Sequence, residues 1–194
     1  MFHLYRPSPE AIRRFIGRSL ELPLSYGPIG LVHNETVGSD VDEVVVAIGR
    51  GQVDFDRAKA ALRAWKQFDI GWVQVFPPAA SLDPGTVVAV LVRHCGFWSL
   101  NGCRVVYRLG DGRERFGFAY GTLMNHAESG EELFEVFLSP DSCEVMYRIR
   151  AVSRPRAALA RIGYPFARFL QARFRRDSAQ AMRRVMGAFT SREK

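Results

Sequence analysis

His126, Glu128, Glu131 and Glu132 place four ionisable side chains within one short stretch of the chain. On an extended segment a histidine and a carboxylate two residues apart project from the same side. Such a pair can act as a general base whose basicity the carboxylate raises. With Glu131 or Glu132 the same histidine also offers ligands of the kind a divalent metal takes. A third reading needs no chemistry: Gly130 turns the chain, and the charges of a polar hairpin loop face water. His3, His33 and His94 are remote in sequence, so no metal is expected.

Other reactive arrangements are absent from the sequence. There is no G-x-S-x-G, and Cys95, Cys103 and Cys143 have no local activating partner and no C-x-x-C spacing. In apolar surroundings all three are expected as buried free thiols. Gly49-Arg50-Gly51 lacks the trailing glycine of a dinucleotide fingerprint, and no Walker-type G-K-[ST] occurs, so no cofactor is expected. Phe97, Trp98 and Asn101 fall between two predicted strands and either frame a pocket mouth or pack in the core. Tyr107, Tyr120 and Tyr147 are expected in the interior, where their hydroxyls orient a ligand or complete a core network. Tyr26, beside Gly27, is a weaker candidate of the same kind.

The polar cluster must be held by the strand before it. In Phe116–Leu123 the residues Phe116, Phe118 and Tyr120 point one way, and Gly117, Ala119 and Gly121 the other. A face stripped to small residues leaves room for a packed helix or a ligand. Around it, period-two patterning runs from Trp72 for about eighty residues. Trp72–Phe76, Thr86–His94, Cys103–Leu109, Leu133–Leu138 and Cys143–Ala151 read as further strands. The alternation places Val105, Tyr107 and Leu109 on one side, and Cys143, Val145, Tyr147, Ile149 and Ala151 inward. Short connections such as Gly110-Asp111-Gly112 make this an antiparallel meander.

Helices flank the meander. Ser8-Pro9 starts one with Ile12, Phe15, Ile16 and Leu20 on its apolar stripe. After a strand at Val41–Ile48, Asp54 caps a second, with Ala58, Leu62, Trp65 and Phe68 on one face. Ser153-Arg154-Pro155 is expected to cap a long third helix reaching about Gly187, kinked or interrupted near Gly163 by Pro165. Leu159, Ile162, Phe166, Phe169, Leu170, Phe174, Met182, Val185 and Met186 form its stripe, which is expected to be the cover the sheet's apolar face requires. The fold class is therefore α+β, and 194 residues suit one domain over 1–194.

The net charge of +7 is unevenly placed. From Arg150 onward 12 basic residues face 2 acidic ones, leaving 15 basic and 18 acidic before it. Arg161, Arg168, Arg173, Arg175, Arg176, Arg183 and Arg184 are thus either a solvated helix face or a surface for an anionic partner: nucleic acid, a membrane surface or a protein. No stretch approaches the ~18 apolar residues of a membrane span, and the N-terminal residues hold no long apolar run. A reducing cytoplasm is the expected address.

A curved antiparallel meander gripping a long C-terminal helix resembles the helix-grip architecture of START and polyketide-cyclase-like domains. GRGQVDFDRAKAALRAWKQFDIGW (Gly49–Trp72), RVVYRLGDGRERFGFAYGTLMNHAESGEELF (Arg104–Phe134) and RAVSRPRAALARIGYPFARFLQARF (Arg150–Phe174) resemble the uncharacterised protein family 0548. The YGTL-x-x-H-x-E-x-G-E-E-x-F pattern is specific to it, and the likeness covers most of the chain. The resemblance implies the fold and assigns no activity. The architecture implies a cavity between sheet and helix that takes a small apolar or amphipathic ligand. Tyr120, His126, Glu128, Tyr107, Tyr147 and Trp98 are the residues expected to contact it. The alternatives are the arginine surface, or a cyclase- or hydrolase-like enzyme in the same cavity with His126 as base.

Overall fold

Period-two patterning becomes a single curled antiparallel sheet. The computed structural model describes residues 1–33, 40–110, 112–155 and 160–190, with the backbone alone at 40, 154, 155, 160–167 and 188–190. The strands are β1 (Phe2–His3), β2 (Asp40–Arg50), β3 (Val73–Phe76), β4 (Val87–Arg93), β5 (Trp98–Leu109), β6 (Arg115–Thr122), β7 (Glu128–Leu138) and β8 (Glu144–Pro155). Their spatial order is β2-β8-β7-β6-β5-β4-β3, with β1 paired to β5. The helices are α1 (Pro9–Ser19), α2 (Gly51–Arg63) and α3 (Ala160–Thr190).

Local chemistry explains the helix starts. At α1 the Ser8 hydroxyl accepts from the Ala11 N–H at 3.2 Å, with Pro9 in the first turn. α2 begins earlier than a cap at Asp54 would place it. Asp54 serves the terminus from inside the helix, accepting the Arg50 N–H at 2.8 Å. Ser153-Arg154-Pro155 does not cap α3: these residues close β8, opposite Gly130, Ser129 and Glu128 of β7. α3 runs unbroken in its backbone assignment across Pro165.

One face of the sheet holds the main core. Phe116, Phe118, Phe134, Tyr147 and Ile149 are fully buried against Phe55, Leu62, Trp65 and Phe68 and against Met182 and Met186 of α3. Truncating such a phenylalanine to alanine costs about 3–5 kcal/mol. The sheet's cover is therefore shared by α2 and the turn after it, where α3 alone was expected. Leu159, Ile162 and Phe166 lie outside the described side chains. Phe169 of the predicted stripe is 61% exposed, because it sits off the arc defined by Leu170 and Phe174.

The opposite face carries two smaller clusters. α1 packs Ile12 and Phe15 on Ala89, Leu91 and Leu100, with Trp98 beside them. Val32 packs on Ala119, Leu133 and Val152, with Tyr107 and Leu109 beside it. A bulge between Val105 and Tyr107 explains why these two part company. Val105 enters the main core, whereas Tyr107 and Leu109 face the other way. The small face of β6 is filled by the chain itself. A methyl at Gly121 would overlap the Tyr26 hydroxyl, and one at Gly117 would meet the Phe134 carbonyl. Of the cysteines only Cys103 is buried; Cys95 and Cys143 are exposed in hairpin turns, where strand alternation no longer governs side-chain direction.

Candidate functional site

Four strands set side chains in one row across the sheet. Asp42 on β2 lies opposite Ala151 on β8, Ala151 opposite Glu132 on β7, and Glu132 opposite Tyr120 on β6. Facing residues in antiparallel strands share a face, so the row presents two carboxylates, a phenol and a methyl toward α3. The small Ala151 leaves volume between its neighbours. A cavity of about 350 Å³ opens there, between sheet and α3, lined by Phe68, Trp72, Val73, Val90, Val92, Leu170 and Phe174 as its apolar walls.

The polar lining divides into two ends. Toward β4 and β5, His94 Nε2 lies 2.8 Å from the Ser99 hydroxyl, which accepts from Asn101 Nδ2 at 3.0 Å. Burial lowers the His94 pKa, so this end is neutral near pH 7. His94 also stacks on Phe97, and Phe97 meets the exposed Phe2 edge-on at 5.7 Å, giving the cavity an aromatic, solvent-facing rim.

The other end is acidic. Tyr120 donates to Glu132 at 2.6 Å, and Gln171 on α3 donates to Glu128 at 3.0 Å. Burial is the main cause that pushes Glu132 up to about 7. The Glu128 charge adds to it, while the Tyr120 hydrogen bond and Arg175 oppose it. Glu128 is also raised by burial, against the pull of Gln171 and Arg168. Arg168 grips Asp42 with both terminal nitrogens, one of them 2.8 Å from Oδ1, and Arg175 reaches the same carboxylate at 3.0 Å. The two guanidiniums that approach the cavity are thus already shared around one aspartate.

Of the residues expected to contact a ligand, Tyr120, His126 and Glu128 line the cavity. Trp98 does not. Strand alternation sends Trp98 and Leu100 to the α1 face and Ser99 and Asn101 to the cavity. Tyr107 lies on the outer face because of the β5 bulge. Its hydroxyl and that of Tyr26 donate to Glu131 at 2.9 and 2.8 Å, and Gly30 N–H completes the set at 2.8 Å. Tyr147 points inward but below the cavity, its hydroxyl 2.9 Å from that of Ser178. His126 Nδ1 lies 2.9 Å from the Glu128 N–H and 3.2 Å from the Glu128 carbonyl oxygen, so this ring nitrogen is engaged by the backbone of its own turn. Glu131 and Glu132 are strand residues on opposite faces, which rules out the shared loop. Among the described residues no group of three or more His, Cys, Asp or Glu could hold a metal ion.

The arginines of α3 are engaged within the molecule. Besides the Asp42 clasp, Arg173 lies over the Trp72 ring at 4.6 Å and reaches Asp177 at 3.4 Å, and Arg176 binds Asp177 at 2.8 Å. Arg183 and Arg184 donate to the carbonyls of Ala47 and Asp69, both at 3.2 Å. The Arg161 side chain lies outside the described residues. No described helix is long and apolar enough to cross a membrane.

The profile of the family described as "Domain of unknown function (DUF1990)" matches residues 25–181. The chain belongs to the DUF1990 family. A UPF0548 protein of Dictyostelium discoideum is 31% identical over 209 residues, spanning 97% of each chain. This DUF1990 chain is similar in fold to a Thalictrum norcoclaurine synthase point mutant solved with a transition-state analogue. The TM-score is 0.54 at 9% identity, over 81% of this chain and 99% of that one. It is also similar to the di-domain ARO/CYC protein StfQ from the steffimycin biosynthetic pathway. There the TM-score is 0.55 at 8% identity, over 79% of this chain and 52% of that one. The sheet gripping α3 is the helix-grip fold.

Proposed function

We propose that this DUF1990 chain binds a small apolar or amphipathic molecule in the cavity between sheet and α3. The observation that carries the reading is a volume of about 350 Å³ with apolar walls and a few convergent polar groups, Tyr120, Glu128 and Glu132. The related folds support it as analogy, since one scaffold hosts many activities. Native mass spectrometry of the purified protein, followed by denaturing extraction, tests it. The expected result is a bound mass that disappears on denaturation. A clean protein mass that stays clean after incubation with lipid and metabolite mixtures would overturn it.

One observation favours a second reading at the same place. Glu132, raised to about 7 and 2.6 Å from the Tyr120 hydroxyl, has the protonation range of a general acid–base. Glu132 is thus a second candidate base beside His126, which also lines the cavity. On this reading Glu132→Gln keeps the ligand and stops its conversion.

A further inference from the structure

Among the described residues, carboxylates outnumber guanidiniums at the acidic end of the cavity. Among those residues it gathers three carboxylates, Asp42, Glu128 and Glu132, and two guanidiniums, Arg168 and Arg175. Both guanidiniums close on Asp42. The hydrogen-bond partners of Glu128 and Glu132 are uncharged, the Gln171 amide and the Tyr120 hydroxyl. Glu131 turns away to the outer face, His126 gives its Nδ1 to the backbone, and His94 lies at the neutral end. Arg168 acts on Glu128, and Arg175 on Glu132, from the Asp42 clasp, and burial outweighs their pull. A buried carboxylate whose hydrogen-bond partners are neutral holds a proton or gains from a closer cation. Between the two polar ends, the walls formed by Phe68, Trp72, Val90 and Phe174 accept an apolar body.

We infer that the molecule bound in this cavity carries a cationic head, a protonated amine or its equivalent, that meets the Glu132 carboxylate with Glu128 beside it. The inference rests on the cavity being a ligand site. Burial keeps a proton on Glu132 up to about pH 7. An arriving cation displaces that proton and takes over its position against the carboxylate. Affinity for an amine therefore rises as pH goes from 6 to 8, while affinity for an uncharged analogue of equal size stays level.

Three probes of one size decide it: 4-phenylbutylamine, 4-phenylbutan-1-ol and 4-phenylbutanoate, titrated calorimetrically into the full chain. The amine is expected to bind about tenfold more tightly than the alcohol at pH 8, because a charge-assisted hydrogen bond replaces a neutral one. The carboxylate probe is expected to bind most weakly. In the Glu128→Gln, Glu132→Gln double variant the amine's advantage over the alcohol should disappear. Alcohol or carboxylate binding at least as tightly as the amine overturns the cation while leaving the ligand site intact. An amine preference that survives the double variant overturns it too, since the charge is then met elsewhere. If none of the three binds, the inference fails, while the ligand site itself is decided by the native mass spectra.

Discussion

At Glu132 the fold works against ionisation, and this has a measurable signature. Its carboxyl moves from 4.5 to about 7 on folding, chiefly through burial. Between those values the unfolded chain releases the proton and the folded chain keeps it. The Glu132 contribution to stability therefore falls as pH rises from about 4.5 to about 7 and is level on either side. Glu132→Gln removes that slope while its amide oxygen still accepts from Tyr120. Urea denaturation at pH 4.5 and pH 8 should show the variant gaining on the wild type by on the order of 3 kcal/mol across that interval. A difference that does not change with pH would refute the shift. Glu132 was within reach of the sequence. Counting back in twos from Phe134 gives Glu132, Gly130 and Glu128 on the core-facing side. Reading Gly130 as a turn hid this, because strand glycines mark close backbone approach as well as turns. Here a Cβ at Gly130 would run into the Val152 carbonyl.

At the level of elements, the Asp42 clasp joins the edge strand β2 to α3. Asp42 is 12% exposed and Arg175 equally so, which makes the clasp largely buried. Asp42→Asn leaves two guanidiniums without their counter-charge, and a loss of about 3 kcal/mol is expected by chemical denaturation. Amide exchange should quicken along α3, with the main core retaining its protection. Unchanged exchange in α3 would show that the apolar stripe alone docks the helix. The freed guanidiniums also stand near Glu128 and Glu132, so the pH slope assigned to Glu132 should shrink in the same variant. None of this clasp was legible beforehand. Its partners lie far apart in sequence, and local counting sees seven arginines with almost no neighbouring acid. The β5 bulge was hidden for a related reason. One extra residue leaves composition unchanged and reverses every later side chain, which took Tyr107 from its expected inward position to the outer face.

For the molecule as a whole, the small Ala151 at the centre of the cross-sheet row separates holding a ligand from holding the fold. Ala151→Leu places a larger side chain between Asp42 and Glu132, where volume is available. In a filled core such overpacking costs about 1–3 kcal/mol; here a loss below about 1 kcal/mol is expected. The bound mass in native spectra should vanish at the same time. A large stability loss would mean that the row is already close-packed. The architecture was largely readable, because alternation over successive strands and a long terminal stripe admit few arrangements. What covers the sheet beside α3, and which residues meet across it, depended on pairings that no local pattern records. The pairing of β2 with β8 adds a consequence in time. It sets Asp40 opposite Ser153 and so joins segments about a hundred residues apart, a contact order that delays closure. The acidic end of the cavity includes Asp42 of β2, so it is complete only once that pairing has closed. A nascent or half-unfolded chain has no such end to offer, and occupancy of the cavity becomes a certificate that the whole polypeptide has finished folding.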